Sequence, residues 1–385
     1  MFNKSKAEIL AYLKDFDVKK YESSRNYLDG NVSQISPYLT HGVISLKDVY
    51  DTVLEHNSFE KAEKFIFELA WREYFRRIWE NLGDGIFENI KQPQQNVQNY
   101  GLPKSVLDSK TTIKALDEQL DLLKKVGYMH NHARMWLAGT VCNIAHYDWK
   151  EPAKWLYYHL LDGDPASNFI SWQWNCGTSR KKIYFANQEN INKYSRTYQK
   201  GTFLDKSYEE LAICTTPVEM QESVKLNLTT NLELFKNSAL AKLQRLENKN
   251  IAIFHPWMLD SQLDFGTDFE GQEYQKILII EPSHFQKLPI SEKRVRFILD
   301  FASKIENLHI FVGEISEFKQ FFEYSSAVTI FHPAISHWQN SFKNLKIKQS
   351  LYIFSEVTKF YPSFFAYWKA CNKVLQKRVK GGKWH

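Results

Sequence analysis

The chain has 385 residues, 43% of them hydrophobic, 24% charged and 15% aromatic, including 11 tryptophans. That length suffices for two domains, and the composition allows a sizeable core and does not make disorder the default. A net charge of +6 is compatible with a polyanionic partner without requiring one, and four scattered cysteines with no CxxC pair suggest neither a zinc nor an iron–sulfur site. Reduced thiols, a charged N-terminus and the lack of any membrane-length apolar run predict a soluble cytoplasmic protein with no membrane contact, taken to be a monomer.

To about residue 210 the chain is predicted to be mostly helical. In 21–39, YESSRNYLDGNVSQISPYL, hydroxyls precede a Ser-Pro step, and hydroxyls with backbone N–H groups at a helix start bind anionic oxygens well. Residues 58–82 have helical period, with Ile66, Ala70, Tyr74 and Ile78 on one stripe and Glu68, Arg72, Phe75 and Trp79 on another. Glu68, Trp71 and Arg72, spaced i, i+3, i+4, share a face. A loop-rich stretch over 83–109 leads to helices over 112–125 and 130–146, where Asn131, Arg134 and Met135 share a face.

The run LLDGDPASNFISWQWNCG (160–177) carries the densest signal. Asp164 before Pro165 has the form of an N-cap followed by proline at the first helical position. Asp164, Asn168 and Trp172 then line one face over two turns. An acid, an amide and an indole on one stripe suit a flat, polar-edged, redox-active ring better than a core.

Polar, charged residues over 211–248 predict a linker ending in a helix over 231–248. Beyond it come short apolar strands, IAIFHP (251–256), KILIIEP (276–282), LHIFVGE (308–314), AVTIFHP (327–333) and SLYIFS (350–355), with helices over 291–305 and 335–345. That alternation predicts a parallel α/β sheet, without a GxGxxG or GxxxxGK[ST] phosphate loop.

The DGD…N…WQW run, the ELxWRE segment, MHNxxRM and the Ser-Pro-Tyr-Leu turn stand together in an order that resembles the photolyase and cryptochrome family over roughly residues 20–195. The resemblance implies an all-helical FAD-binding domain of photolyase type (1–210), a linker (211–248) and a Rossmann-like parallel α/β domain (249–385) similar to the family's antenna domain, here downstream, as in a circular permutation. It implies FAD as cofactor, held by Tyr21, Ser33, Ile35, Ser36, Arg72, Arg134, Asp162, Asp164 and Asn168, with an antenna chromophore left unspecified and no metal. It further implies DNA containing pyrimidine dimers as partner. Glu68 and Asn131 would meet the lesion's polar edges, Trp71, Met135 and Trp174 its faces, and Arg25 the DNA. Trp172 and Trp149 match two members of an electron-transfer chain; 86–110, where the third belongs, contains no tryptophan, and Tyr100 is the available substitute. Arg180, Lys181 and Lys182 could face phosphate. The MHNxxRM form is similar to members that split cyclobutane dimers in light. The rival expectations are a cryptochrome-like blue-light receptor that binds FAD without repair, and a cofactor-free DNA-binding module.

Overall fold

The computed structural model describes residues 2–241, 250–318, 326–340 and 344–380. Contacts group the chain into two compact units, one from Met1–Phe16, Gln34–Phe59 and Thr229–His385, the other from Asp17–Ser33 and Glu60–Leu228. The sequence placed one boundary at 211–248; the contacts divide the chain at four points.

The second unit is helical. Its main helices are Val18–Ser24, Phe59–Leu82, Lys114–Val126, Asn131–Gly139, Lys150–His159, Pro165–Cys176 and Gln188–Ser195. Two-residue strands β1 (Leu102–Pro103) and β2 (Ser223–Val224) form a short antiparallel ladder within it. Side chains that reach N-terminal N–H groups explain several starts: Asp17 accepts two, and His130, Asp164 and Asn187 accept one each. The Asn131–Gly139 helix continues into a wider π turn, Thr140–Ile144, so the expected 130–146 helix changes pitch partway. Trp136, Trp149, Trp155 and Trp172 are buried in this unit's core.

The first unit is α/β. Strands β3 (Asn250–Phe254), β4 (Gln275–Ile280), β5 (Leu308–Val312), β6 (Ser326–Ile330) and β7 (Leu345–Lys348) form one parallel sheet in the order β5-β4-β3-β6-β7. Register places Ile253 beside Ile277 and Ala252 beside Val328. Ile251, Ile253, Ile277 and Ile279 then share a face with Phe318 and Trp338, the continuous apolar burial a parallel sheet needs. Segments from the chain's start complete this unit. Tyr38, in the Ser36–Thr40 helix, packs edge-on against Phe301 at 5.6 Å, and Lys6 pairs with Asp260 at 2.7 Å. Gly42, at φ +60°, lies so close to the chain that a Cβ would stand 2.2 Å from the Trp257 carbonyl oxygen.

Three expected elements differ. Residues 350–355 form no strand: Ile353 and Phe354 are buried but Leu351 is 69% exposed, so the run is a turn with two anchors. The edge strand is LKIK, β7, whose Leu345 and Ile347 alternate toward the core. Of the helix expected over 335–345, the described part is a kinked 3₁₀ stretch, Pro333–Asn340, and 341–343 lie outside the described residues. Of the helix expected over 231–248 only the single turn Glu233–Lys236 and the 3₁₀ turn Ala239–Ala241 form among the described residues; 242–249 lie outside them.

Candidate functional site

In the helical unit the Pro165–Cys176 helix is built as its sequence indicates. Asp164 caps it, accepting from the Ser167 N–H at 2.8 Å and from the Ser167 hydroxyl. Asn168 is buried and donates its Nδ2 to the Ala153 carbonyl at 2.9 Å, which ties this helix to Lys150–His159. Arg134 reaches Asp162 with Nη2, 2.9 Å from each carboxylate oxygen, and its Nε donates to the Met129 carbonyl at 3.0 Å. Three of these residues keep one polar atom unused. Arg134 Nη1, Asp164 Oδ1 and Asn168 Oδ1 make no hydrogen bond among the described residues. The cluster therefore holds itself in place and still offers donors and acceptors outward.

Tyr21 packs edge-on against Phe65 at 5.1 Å, and burial, then the nearby Glu68 carboxylate, pushes its hydroxyl pKa well up, so it stays a neutral donor. Ser33 and Arg72 are half-buried in the same unit. Ile35 and Ser36 belong to the α/β unit, where buried Ile35 precedes Ser36 at the start of Ser36–Thr40.

Glu68 is half-buried on Phe59–Leu82 and pairs with Lys64 Nζ at 2.7 Å and Arg25 Nη2 at 3.3 Å. Lys64 was not expected, though its i, i+4 spacing from Glu68 was the available signal. Trp71 is half-buried against Phe75 at 5.3 Å. Asn131 is exposed at its helix start and Met135 half-buried one turn on. His130 is buried, and burial, with His132 and Arg134 beside it, pushes its pKa down to about 4. His132 stands 4.5 Å from the Tyr194 ring, with Nδ1 2.8 Å from the Asn26 carbonyl.

Trp149 is fully buried, its Nε1 donating to Asn89 at 2.9 Å and its ring edge-on to Phe169 at 6.2 Å. Phe169 precedes Trp172 by three residues on the same helix, so aromatic packing joins the segments that carry the two tryptophans. Tyr100 is 72% exposed. Sequence reasoning passed over Gln173. Its buried amide bonds the Ile86 carbonyl (2.8 Å), the Ile90 N–H (3.0 Å) and the Thr178 hydroxyl (3.1 Å), pinning the 83–92 loop to this helix.

Residues 65–239 match the family described as FAD binding domain of DNA photolyase. Cryptochrome DASH of Synechocystis is 30% identical over 223 residues, which cover 52% of this chain and 44% of that protein. Over its helical part, the chain is similar to the photolyase/cryptochrome family. The deoxyribodipyrimidine photo-lyase of Halobacterium salinarum is 27% identical over 179 residues, 44% of this chain and 37% of that one. The crystal structure of a Synechocystis cryptochrome aligns over 50% of this chain and 44% of its own at 25% identity, with a TM-score of 0.44. The chain spans less than half the length of these relatives.

The donor set of this photolyase-like helical unit fits a flavin nucleotide. Guanidinium N–H groups suit anionic oxygens, while carboxylate and amide oxygens suit ring and sugar N–H and O–H groups. Arg134, Asp164 and Asn168 each present such an atom.

The α/β unit carries a second cluster. Strands β3, β4 and β6 end alike, in His255-Pro256, Glu281-Pro282 and His332-Pro333, a recurrence visible in the sequence but not read there. The three strands are neighbours, so these residues meet at their carboxyl ends, where the strand order reverses and open α/β sheets bind ligands. Trp257 stacks on His332 at 4.8 Å. Burial alone would raise the Glu281 pKa, but bonds from His337 (3.0 Å) and Trp338 Nε1 (2.8 Å) hold it below the usual range. The cavity lined by His255, Trp257, Glu281, His284 and Trp338 measures about 10 Å³, the space of one water.

Proposed function

We propose that this protein binds FAD in its helical unit and uses light to split cyclobutane pyrimidine dimers in DNA. One observation carries the reading: a carboxylate, Glu68, held between two cations, with the half-buried face of Trp71 one turn along the same helix. That pairing suits two fused, polar-edged bases of one strand lifted from a duplex, and lifting costs less when they are damaged and poorly stacked.

A reduced flavin, when bound, supplies on excitation the electron that opens the dimer and takes it back afterwards. Arg134, fixed by Asp162, offers Nη1 to negative charge on the cofactor, and Arg72 adds a second cation. Asp164 and Asn168 accept from the cofactor's N–H groups. Glu68 accepts from base N–H groups and Asn131 can both donate and accept. Trp71 and Trp174 bound the bases by their faces, Met135 fills against them, and Arg25 passes from its ion pair toward phosphate. Trp149 and Trp172 would give electrons a route of indole rings toward the cofactor.

A second reading, a blue-light receptor of cryptochrome type, is favoured by similarity to DASH cryptochromes at 29–30% identity. A cofactor-free DNA-binding module is the third. The test is blue-light repair of a dimer-containing oligonucleotide by the reduced protein and by Glu68→Ala. Repair by the parent and its loss in a variant that keeps flavin support the enzyme. A flavin-loaded parent that leaves dimers intact favours the receptor.

A further inference from the structure

The indole of Trp174 is already occupied. The guanidinium carbon of Arg180 stands 3.3 Å above its ring centroid, the separation of stacked planar groups. Arg180 Nε also donates to the Trp174 carbonyl at 3.1 Å. The loop that delivers this arginine is fixed at both ends. At one end, Thr178 donates its N–H to the Gln173 carbonyl at 3.0 Å and accepts at its own carbonyl from the Lys91 N–H at 2.9 Å. At the other, the Tyr184 N–H donates to the Asn175 carbonyl at 2.9 Å. Gly177, at φ +85°, allows the reversal between helix and loop.

Among the described residues no carboxylate pairs with Arg180, and Lys181 and Lys182 beside it are exposed. A planar cation with its remaining N–H groups unspent, stacked on an aromatic face within a basic loop, has two homes available. One is the indole; the other is a phosphate oxygen.

We propose that Arg180 is a place-holder on Trp174: its guanidinium covers the face that a nucleobase takes, and incoming nucleic acid moves it from the ring to a phosphate. The proposal rests on the reading of Trp174 as a base-stacking surface. The ring is kept dry and flat until a base arrives. The exchange replaces one stacked plane by another, so the loop ends need not move. The cost of uncovering the ring falls on every base, while only a base seated on Trp174 recovers it.

The test is binding of flavin-loaded protein, in the dark, to a short oligothymidylate carrying one cyclobutane dimer. At a salt concentration that screens phosphate contacts, Arg180→Ala is expected to bind about threefold more tightly than the parent, because nothing has to be displaced. Arg180→Lys, which keeps the charge but not the flat group, is expected to gain at low salt as well. In a Trp174→Ala background, Arg180→Ala is expected to give no gain. Equal or weaker binding by both Arg180 variants at high salt, with Trp174→Ala still weakening the parent, overturns the place-holder and leaves the stacking surface standing. If Trp174→Ala leaves binding unchanged, the stacking surface itself fails and the place-holder with it.

Discussion

Glu68 joins chemistry to local structure most tightly. Its two cations are supplied by its own helix, through Lys64, and by Arg25. Glu68→Ala removes an acceptor for the bases without touching Arg134, Asp162 or Asp164, so the repair rate is expected to fall about 10- to 100-fold at unchanged flavin content. Time courses under fixed illumination, normalised to flavin absorbance, check this. His130 makes a second residue-scale prediction. Its pKa falls from an ordinary 6.5 to about 4 on folding, so the unfolded chain binds more protons between those values. The neutral ring's contribution is complete above about pH 6.5, declines as pH falls and is lost below about 4, a change on the order of 3 kcal/mol. Urea unfolding at pH 7 and pH 5 should show about 2 kcal/mol of that loss in the parent. His130→Asn, which keeps a capping group, should show a shallower pH dependence.

At the scale of elements, the Pro165–Cys176 helix connects the cap, the amide and the buried indole. Asp164→Ala is expected to cost about 1 kcal/mol of stability through the lost cap, whereas Asp164→Asn keeps a capping oxygen and changes the charge. Thermal unfolding compared with flavin affinity separates the two roles: Asp164→Asn should melt near the parent and bind flavin more weakly. This helix was legible because its signals are local, a capping acid, a proline at the first turn and a period of four. The parallel strands were legible as apolar runs, yet SLYIFS and LKIK show the limit. A short apolar run has no period long enough to tell a strand from an anchored turn, and alternation in β7 spans only four residues. The amide bonds of Gln173 and the stack of Arg180 on Trp174 were invisible for a different reason: each depends on a tertiary approach that no spacing encodes. The His-Pro and Glu-Pro strand ends were present in the sequence, and only the order of strands in the sheet gave them meaning.

At the scale of the whole molecule, the interleaving of segments matters most. Residues 34–59 lie early in the chain and pack with the α/β unit, so a boundary drawn from a composition change alone describes the later junction only. Buried Tyr38 and His41 also reach residues far along the chain, Tyr38 packing on Phe301 and His41 Nδ1 lying 2.7 Å from the Pro256 carbonyl. The proposed electron path belongs to the helical unit as a body. Trp172→Phe is expected to abolish light-driven reduction of the cofactor while chemically reduced protein still repairs, and following flavin absorbance under illumination with an external reductant checks this. The central claim is that the helical unit holds a flavin through Arg134, Asp162, Asp164 and Asn168. Its most direct test is the absorption spectrum and flavin content of the purified protein beside those of Asp162→Asn. The account predicts a yellow parent with about one FAD per chain and a variant that loses most of it. A colourless parent that takes up no added FAD, or a variant that retains it fully, would contradict the account.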